Sequence, residues 1–283
     1  MIPAGATSEP SSGPSSAPGS AGPGGSAGSA GSADGSAPSG ASREPKEERV
    51  RSMFSEIAPT YDLLNRLLSF GVDQRWRAEA TRTVLGPFAN ADQVRVLDVA
   101  SGTGDLTLAI KKARPDADVM GADFAEPMLE LARAKAERRG QDVSFIVADG
   151  TDLPFEDAQF DAVTIAYGLR NFADPDAGLR EFRRVLKPGG RLAVLEFPPP
   201  PKGAFGSLFR FYFRRLLPQL GGLISGKRSA YAYLPESVFA FFEPAELEER
   251  LRLAGFGAVT HRLQTFGVSA LHVADVPTER RTE

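Results

Sequence analysis

The chain has 283 residues, a formal net charge of −3, two histidines and no cysteine. That charge gives no electrostatic case for nucleic acid as the main partner. The lack of cysteine excludes both a disulfide framework and thiolate chemistry. No stretch approaches the length of an apolar transmembrane helix.

Residues 1–42 hold only Ala, Gly, Pro and Ser, apart from Met1, Ile2, Thr7, Glu9 and Asp34. Such a segment has almost nothing to bury against the entropy of ordering, so it is expected to be a disordered tail. It lacks the basic start and apolar core of a secretory signal, and it has too few arginines for a transit peptide. The remaining stretch, 43–283, is roughly 240 residues and suffices for one well-buried α/β domain.

Residues 43–90 read as a helical lid. Pro59 suits a first helical turn, and Gly71 suits a left-handed stop. From residue 94 onward, short β-branched runs alternate with helical patterns. Strands are predicted at 94–100, 118–124, 143–149, 160–167 and 191–197. Helices are predicted at Asp105–Arg114, Glu126–Arg139 and Asp176–Leu186. In the last, Leu179, Phe182, Val185 and Leu186 form one stripe, and Pro188-Gly189-Gly190 is expected to end the helix. Repeated βα units predict a parallel sheet covered on both faces. An aromatic insertion at 204–242 follows, then a helix at 244–255. Two strands close the domain, 258–264 and 268–275, near enough in sequence to pair antiparallel. The expected fold is therefore α/β, a mostly parallel, seven-stranded, Rossmann-like sheet with an antiparallel final strand.

The segment LDVASGTGDL (97–106) places a small-residue turn between a strand and a helix start, a site for a polar ligand at the sheet's carboxyl edge. Thr107 occupies the third position of a G-x-G-x-x-G fingerprint, which breaks the dinucleotide pattern, and no G-K-[ST] follows. Asp123 ends the second strand, where a carboxylate accepts from ribose hydroxyls. Asp149 ends the third, placed to accept from an adenine amino group, and Gly150 leaves room for the ring. An adenosyl ligand without phosphates fits best, seated by Gly102, Thr103, Gly104, Asp123, Asp149 and Gly150. The set resembles that of the class I S-adenosylmethionine-dependent methyltransferases, and no metal is expected. The opposing reading makes the turn a plain tight turn and the two aspartates helix caps. A nicotinamide oxidoreductase and a non-catalytic nucleoside-binding module also stay open on these residues.

Three further stretches narrow the class: YDLLNRLLSFGVDQRWR (61–77), YGLRNFAD (167–174) and FRRVLKPGGRLAVLEF (182–197). With LPFED (153–157) and SALH (269–272), they resemble the UbiE/MenG quinone C-methyltransferases from about residue 47 to 275. The resemblance implies methyl transfer from S-adenosylmethionine to a ring carbon of a polyprenylated quinol. Demethylmenaquinol is the first candidate and 2-polyprenyl-6-methoxy-1,4-benzoquinol the second; another small phenolic or lipid acceptor is the alternative. Such a carbon becomes nucleophilic when a neighbouring hydroxyl loses its proton, so the site must stabilise a phenolate-like oxygen. Arg170 is the candidate to hold that oxygen, Asn171 to orient it or a water, and Tyr61 to bond it from the lid. The opposing readings are a loop salt bridge, a helix cap and lid packing. His272 reads equally as a sheet histidine or a substrate contact, and Trp76 as packing between lid and domain.

In 204–228, Phe205, Leu208, Phe209, Phe211, Tyr212, Phe213, Leu216 and Leu217 interleave with Arg210, Arg214 and Arg215. The segment reads first as a cover for the sheet or site. It reads second as a wall for an isoprenoid tail whose arginines face anionic lipid head groups. The expected location is cytoplasmic, with peripheral contact at the inner face of a membrane. A homodimer is compatible with the reading.

Overall fold

The computed structural model describes residues 46–69, 71–216, 219 and 228–278. The expected tail at 1–42 lies outside the described residues, as do 217, 218 and 220–227 of the aromatic insertion.

Two helices, α1 (Lys46–Leu68) and α2 (Asp73–Leu85), precede the sheet. The chain then runs through β1 (Arg95–Val99), α3 (Asp105–Ala113), β2 (Asp118–Asp123), α4 (Glu126–Arg138) and β3 (Ser144–Val147). It continues through β4 (Phe160–Ala166), a 3₁₀ turn at Leu169–Asn171, α5 (Pro175–Val185) and β5 (Leu186–Glu196). After β5 come α6 (Ala204–Phe211), a π-helical turn (Tyr212–Leu216) and α7 (Arg228–Phe239). The last elements are α8 (Pro244–Leu253), β6 (Val259–Gln264) and β7 (Ser269–Asp275).

The sheet order is β3-β2-β1-β4-β5-β7-β6. The five strands from β3 to β5 run parallel, and β7 lies antiparallel between β5 and β6. The periodicity of α5 explains its placement. Asp174 caps its first turn by accepting from Ala177 N at 3.0 Å. Leu179, Phe182 and Val185 then fall on one buried face, packed with Leu247 and Leu251 of α8. On the opposite face of the sheet, Trp76, Ala80 and Val84 of α2 pack with Leu106 and Ile110 of α3.

Two local expectations change. Helix α1 runs unbroken through Pro59, which lies in its interior and not in a first turn. Ile57 and Ala58, both buried just before it, hold the helix where the proline removes a backbone donor. Gly71, at φ +73° with its N–H on the Arg66 carbonyl, closes the turn after α1 as expected. Pro188-Gly189-Gly190 is a kink within β5, because Leu186 already pairs with Phe160 and the register shifts before Ala162.

Candidate active site

Neighbouring strands β1 and β4 hand the chain to opposite ends of the sheet, which makes their carboxyl ends a topological switch point. Both ends bend sharply: Ala100 has φ +51° and Tyr167 φ +61°. Non-glycine residues in this region are strained, and such strain collects at functional sites. Between them lies a cavity of about 260 Å³, lined by Gly102, Asp123, Asp149, Gly150, Tyr167 and Asn171 and covered by Phe54 and Tyr61 of α1.

Gly102 and Gly104, at φ +55° and +79°, form the turn. Asp123 Oδ2 accepts from Gly102 N at 2.8 Å, and Oδ1 accepts from Ala125 N at 2.9 Å. Burial pushes its carboxyl up to about 6 against these two bonds. Asp149 is exposed at the cavity rim and accepts from the backbone N–H and hydroxyl of Thr151.

Thr103 and Gly150 each meet a residue from elsewhere in the fold. Thr103 turns its hydroxyl to Asp62 Oδ1 of α1, at 2.5 Å, and receives Lys135 Nζ at 3.1 Å. Lys135 also bonds Asp62 and Asp105, each at 2.7 Å. Thr103 therefore ties the glycine turn to α1 and α4. A Cβ at Gly150 would run into the Phe172 ring, and both residues line the first cavity.

A second cavity, of about 80 Å³, lies across Phe54, Tyr61 and Tyr167 from the first. Its walls are Met53, Ile57, Phe197 and Leu234, with Ser69, Asp73, Arg77 and Arg170 as polar groups. Arg170 Nη1 bonds Glu196 Oε1 at 2.7 Å and also the Tyr167 carbonyl. The loop salt bridge is thus present, and it balances Arg170 at the cavity wall. Burial pushes the Glu196 carboxyl up, while the guanidinium opposes that shift. Tyr167 stacks on Phe197 at 4.4 Å; Arg77 lies over the tyrosine ring and Arg170 over the phenylalanine ring. Arg77 is paired with Asp73, which also accepts from Ser69 Oγ at 2.8 Å.

Glu196, Asp73 and Arg77 escaped the sequence reading, although Asp73 and Arg77 stand at i, i+4 within the stretch 61–77. Charge spacing on one helix turn was the available signal. Trp76 packs against Tyr167 and Phe197 and donates from Nε1 to Thr265 Oγ1 at 3.0 Å. His272 is a buried sheet histidine whose Nε2 faces the Pro244 carbonyl at 3.0 Å; it lines neither cavity. Burial lowers its pKa to about 4.

The first cavity fits an adenosyl sulfonium. Carboxylates end β2 and lie just past β3, the glycine turn closes one side, and the buried Asn171 Oδ1 in its wall has no partner among the described residues. A doubly wound sheet with an antiparallel last strand and this cavity at its switch point define a class I S-adenosylmethionine-dependent methyltransferase.

Comparison with known proteins narrows the class. The ubiE/COQ5 methyltransferase family matches residues 42–275, and the chain belongs to that family. It is 60% identical to the demethylmenaquinone methyltransferase of Thermus thermophilus over 225 residues, covering 80% of this chain and all of the relative. The demethylmenaquinone methyltransferase of Deinococcus radiodurans is 49% identical over 84% of this chain and 97% of its own. The ubiquinone/menaquinone biosynthesis C-methyltransferase UbiE of Geobacter sulfurreducens is 45% identical over 81% and 89%. Among solved structures, Haemonchus contortus phosphoethanolamine N-methyltransferase 2 with S-adenosyl-L-methionine shares the fold. It has a TM-score of 0.52 and 16% identity over 70% of this chain and 52% of that one. The Haloferax volcanii Trm112 methyltransferase activator complex gives a TM-score of 0.55 and 20% identity over 79% and 97%.

Proposed function

We propose that this enzyme methylates a ring carbon of a polyprenylated quinol, demethylmenaquinol first, with 2-polyprenyl-6-methoxy-1,4-benzoquinol as the second candidate. The observation that carries the reading is the second cavity: apolar walls and the guanidinium groups of Arg77 and Arg170, with Phe54, Tyr61 and Tyr167 shared between it and the first cavity. The names of the Thermus and Deinococcus relatives support the same substrate.

S-adenosylmethionine supplies an electrophilic sulfonium methyl and leaves as a neutral thioether. Asp123 and Asp149 would hold its nucleoside at the ribose and adenine ends, and the turn at Gly102 would seat the methionine end; Gly104, predicted beside it, does not line the cavity. Helix α1 excludes water, and the network of Asp62, Thr103 and Lys135 keeps it closed over the turn. Arg170, held by Glu196, stabilises the quinol oxygen as charge develops there, and Tyr61 donates to it. Asn171, in the wall of the first cavity, orients that oxygen or a water. Alignment supplies most of the acceleration, because a sulfonium methyl needs only an in-line nucleophile.

A polyprenyl substrate resides in a bilayer, so the chain must meet it at the surface. In α6 and the turn after it, Phe209 and Phe213 face inward while Leu208 and Phe211 are 65% and 55% exposed. Arg210, Arg214 and Arg215 lie among them. We take this face as the membrane contact, suited to anionic head groups. Of the same segment, the Phe205 and Leu216 side chains and Leu217 lie outside the described residues. No helix among the described residues is long and apolar enough to cross a membrane.

Mass spectrometry of the quinone pool tests the proposal. A strain lacking the gene accumulates the desmethyl quinone, and the returned gene restores the methylated one. A pool that is unchanged by deletion overturns it.

A further inference from the structure

We infer that Asp73 is the base that takes the acceptor ring's hydroxyl proton, an inference that rests on the quinol reading above. The second cavity is where a ring must sit to face the adenosyl cavity. Among the described residues that line it, Asp73 is the one carboxylate; the other polar groups are guanidinium or hydroxyl. Ser69 Oγ bonds Asp73 Oδ1 at 2.8 Å, and Arg77 Nη1 bonds Oδ2. These two partners fix the orientation of the carboxylate without exhausting it, since each oxygen keeps a further lone pair. The side chain is only 6% exposed, so bulk water does not compete for it.

Other nearby carboxylates are committed elsewhere. Glu196 accepts from the Arg170 side chain, the Arg170 N–H and the Phe197 N–H, and lines neither cavity. Asp62 is held by Thr103 and Lys135. Asp123 faces the adenosyl cavity.

The hydroxyl proton moves to Asp73, and the O–H bonding pair passes into the ring. The carbon ortho to that oxygen forms the new bond to the methyl, while the methyl–sulfur bonding pair stays on sulfur. That carbon then holds both hydrogen and methyl. Its proton is lost to solvent as Asp73 returns its own proton to the oxygen, so one proton is released per methyl transferred.

The test compares wild type with Asp73→Asn, Asp73→Glu and the double variant Asp73→Asn/Arg77→Gln, in which no guanidinium is left buried beside a missing partner. Turnover of a demethylnaphthoquinol is followed from about pH 5 to about pH 10, across the span from carboxylate to phenol ionisation. S-adenosylhomocysteine affinity is measured by calorimetry on each protein. The inference expects both Asn variants to lose about 10²-fold or more in kcat at neutral pH, with adenosyl affinity preserved. Their rates should also climb with pH, as the quinol ionises in solution before it binds, and Asp73→Glu should recover part of the loss. A near-normal rate, or a loss that is the same at every pH, overturns it, because a residue that only positions Arg77 would act uniformly. Wild type that methylates no quinol overturns the quinol reading, and this inference with it.

Discussion

Thr107 Oγ1 donates to Asp98 Oδ2 at 2.6 Å, and both side chains are buried. Asp98 Oδ1 accepts from Thr164 Oγ1 at 2.7 Å, so one carboxylate on β1 ties α3 to β4 directly beneath the glycine turn. The position where a dinucleotide loop needs a glycine is here a structural hydrogen-bond donor. Thr107→Val keeps the shape and removes the bond, and should cost about 1–3 kcal/mol in urea unfolding. Thr107→Gly, which completes the dinucleotide fingerprint, should give no NAD binding by calorimetry.

Asp123 gives a pH dependence of known sign. Its folded pKa, raised to about 6 by burial, lies above the usual carboxylate value near 4. The unfolded chain therefore ionises first, and stability falls as pH rises from about 4 to about 6, by roughly 3 kcal/mol at most. Ribose hydroxyls donate to the ionised form, so S-adenosylhomocysteine affinity should rise through pH 6 and then level. Denaturant melts and calorimetry at a series of pH values check both slopes, and Asp123→Asn should flatten its share of each.

Arg170 and Glu196 form a pair whose side chains are 7% and 2% exposed. Removing one partner of such a pair strands a buried charge, at a cost of roughly 3–5 kcal/mol. Glu196→Gln should therefore lower the unfolding midpoint and also slow turnover by misplacing Arg170. Arg170→Ala should abolish most turnover while S-adenosylhomocysteine still binds. Near-normal turnover in Arg170→Ala would remove Arg170 from the mechanism.

The membrane face makes a separable prediction. Wild type should sediment with anionic liposomes at low salt, and less as salt rises. Exchanging Arg210, Arg214 and Arg215 for Ser should abolish this, while activity on a short-chain, water-soluble quinol persists. Absence of sedimentation at low salt contradicts the assignment.

The lining of the first cavity was legible in part because its pieces are local. A strand end, a glycine turn and an acid ending the next strand are fixed by spacing, and parallel pairing brings Asp123 to Gly102. The contacts of Thr103 with Asp62 and of Gly150 with Phe172 were not legible, because they form only through the fold. The second cavity was seen in part. Arg170 and Tyr61 came from the resemblance, but Glu196 sits at the far end of β5 and Asp73 on another helix, and only the sheet and α2 bring them together. Pro59 misled because first-turn preference is a local rule, and burial of the helix before it prevailed.

Ring C-methylation can be followed by incubating the purified full chain with methyl-labelled S-adenosylmethionine and reduced demethylmenaquinone in anionic lipid vesicles. The product is then read by mass spectrometry with fragmentation. Label is expected on a carbon of the quinone ring, in one-to-one ratio with S-adenosylhomocysteine formed. Label on oxygen, or S-adenosylhomocysteine formed without a methylated quinone, would contradict ring C-methylation.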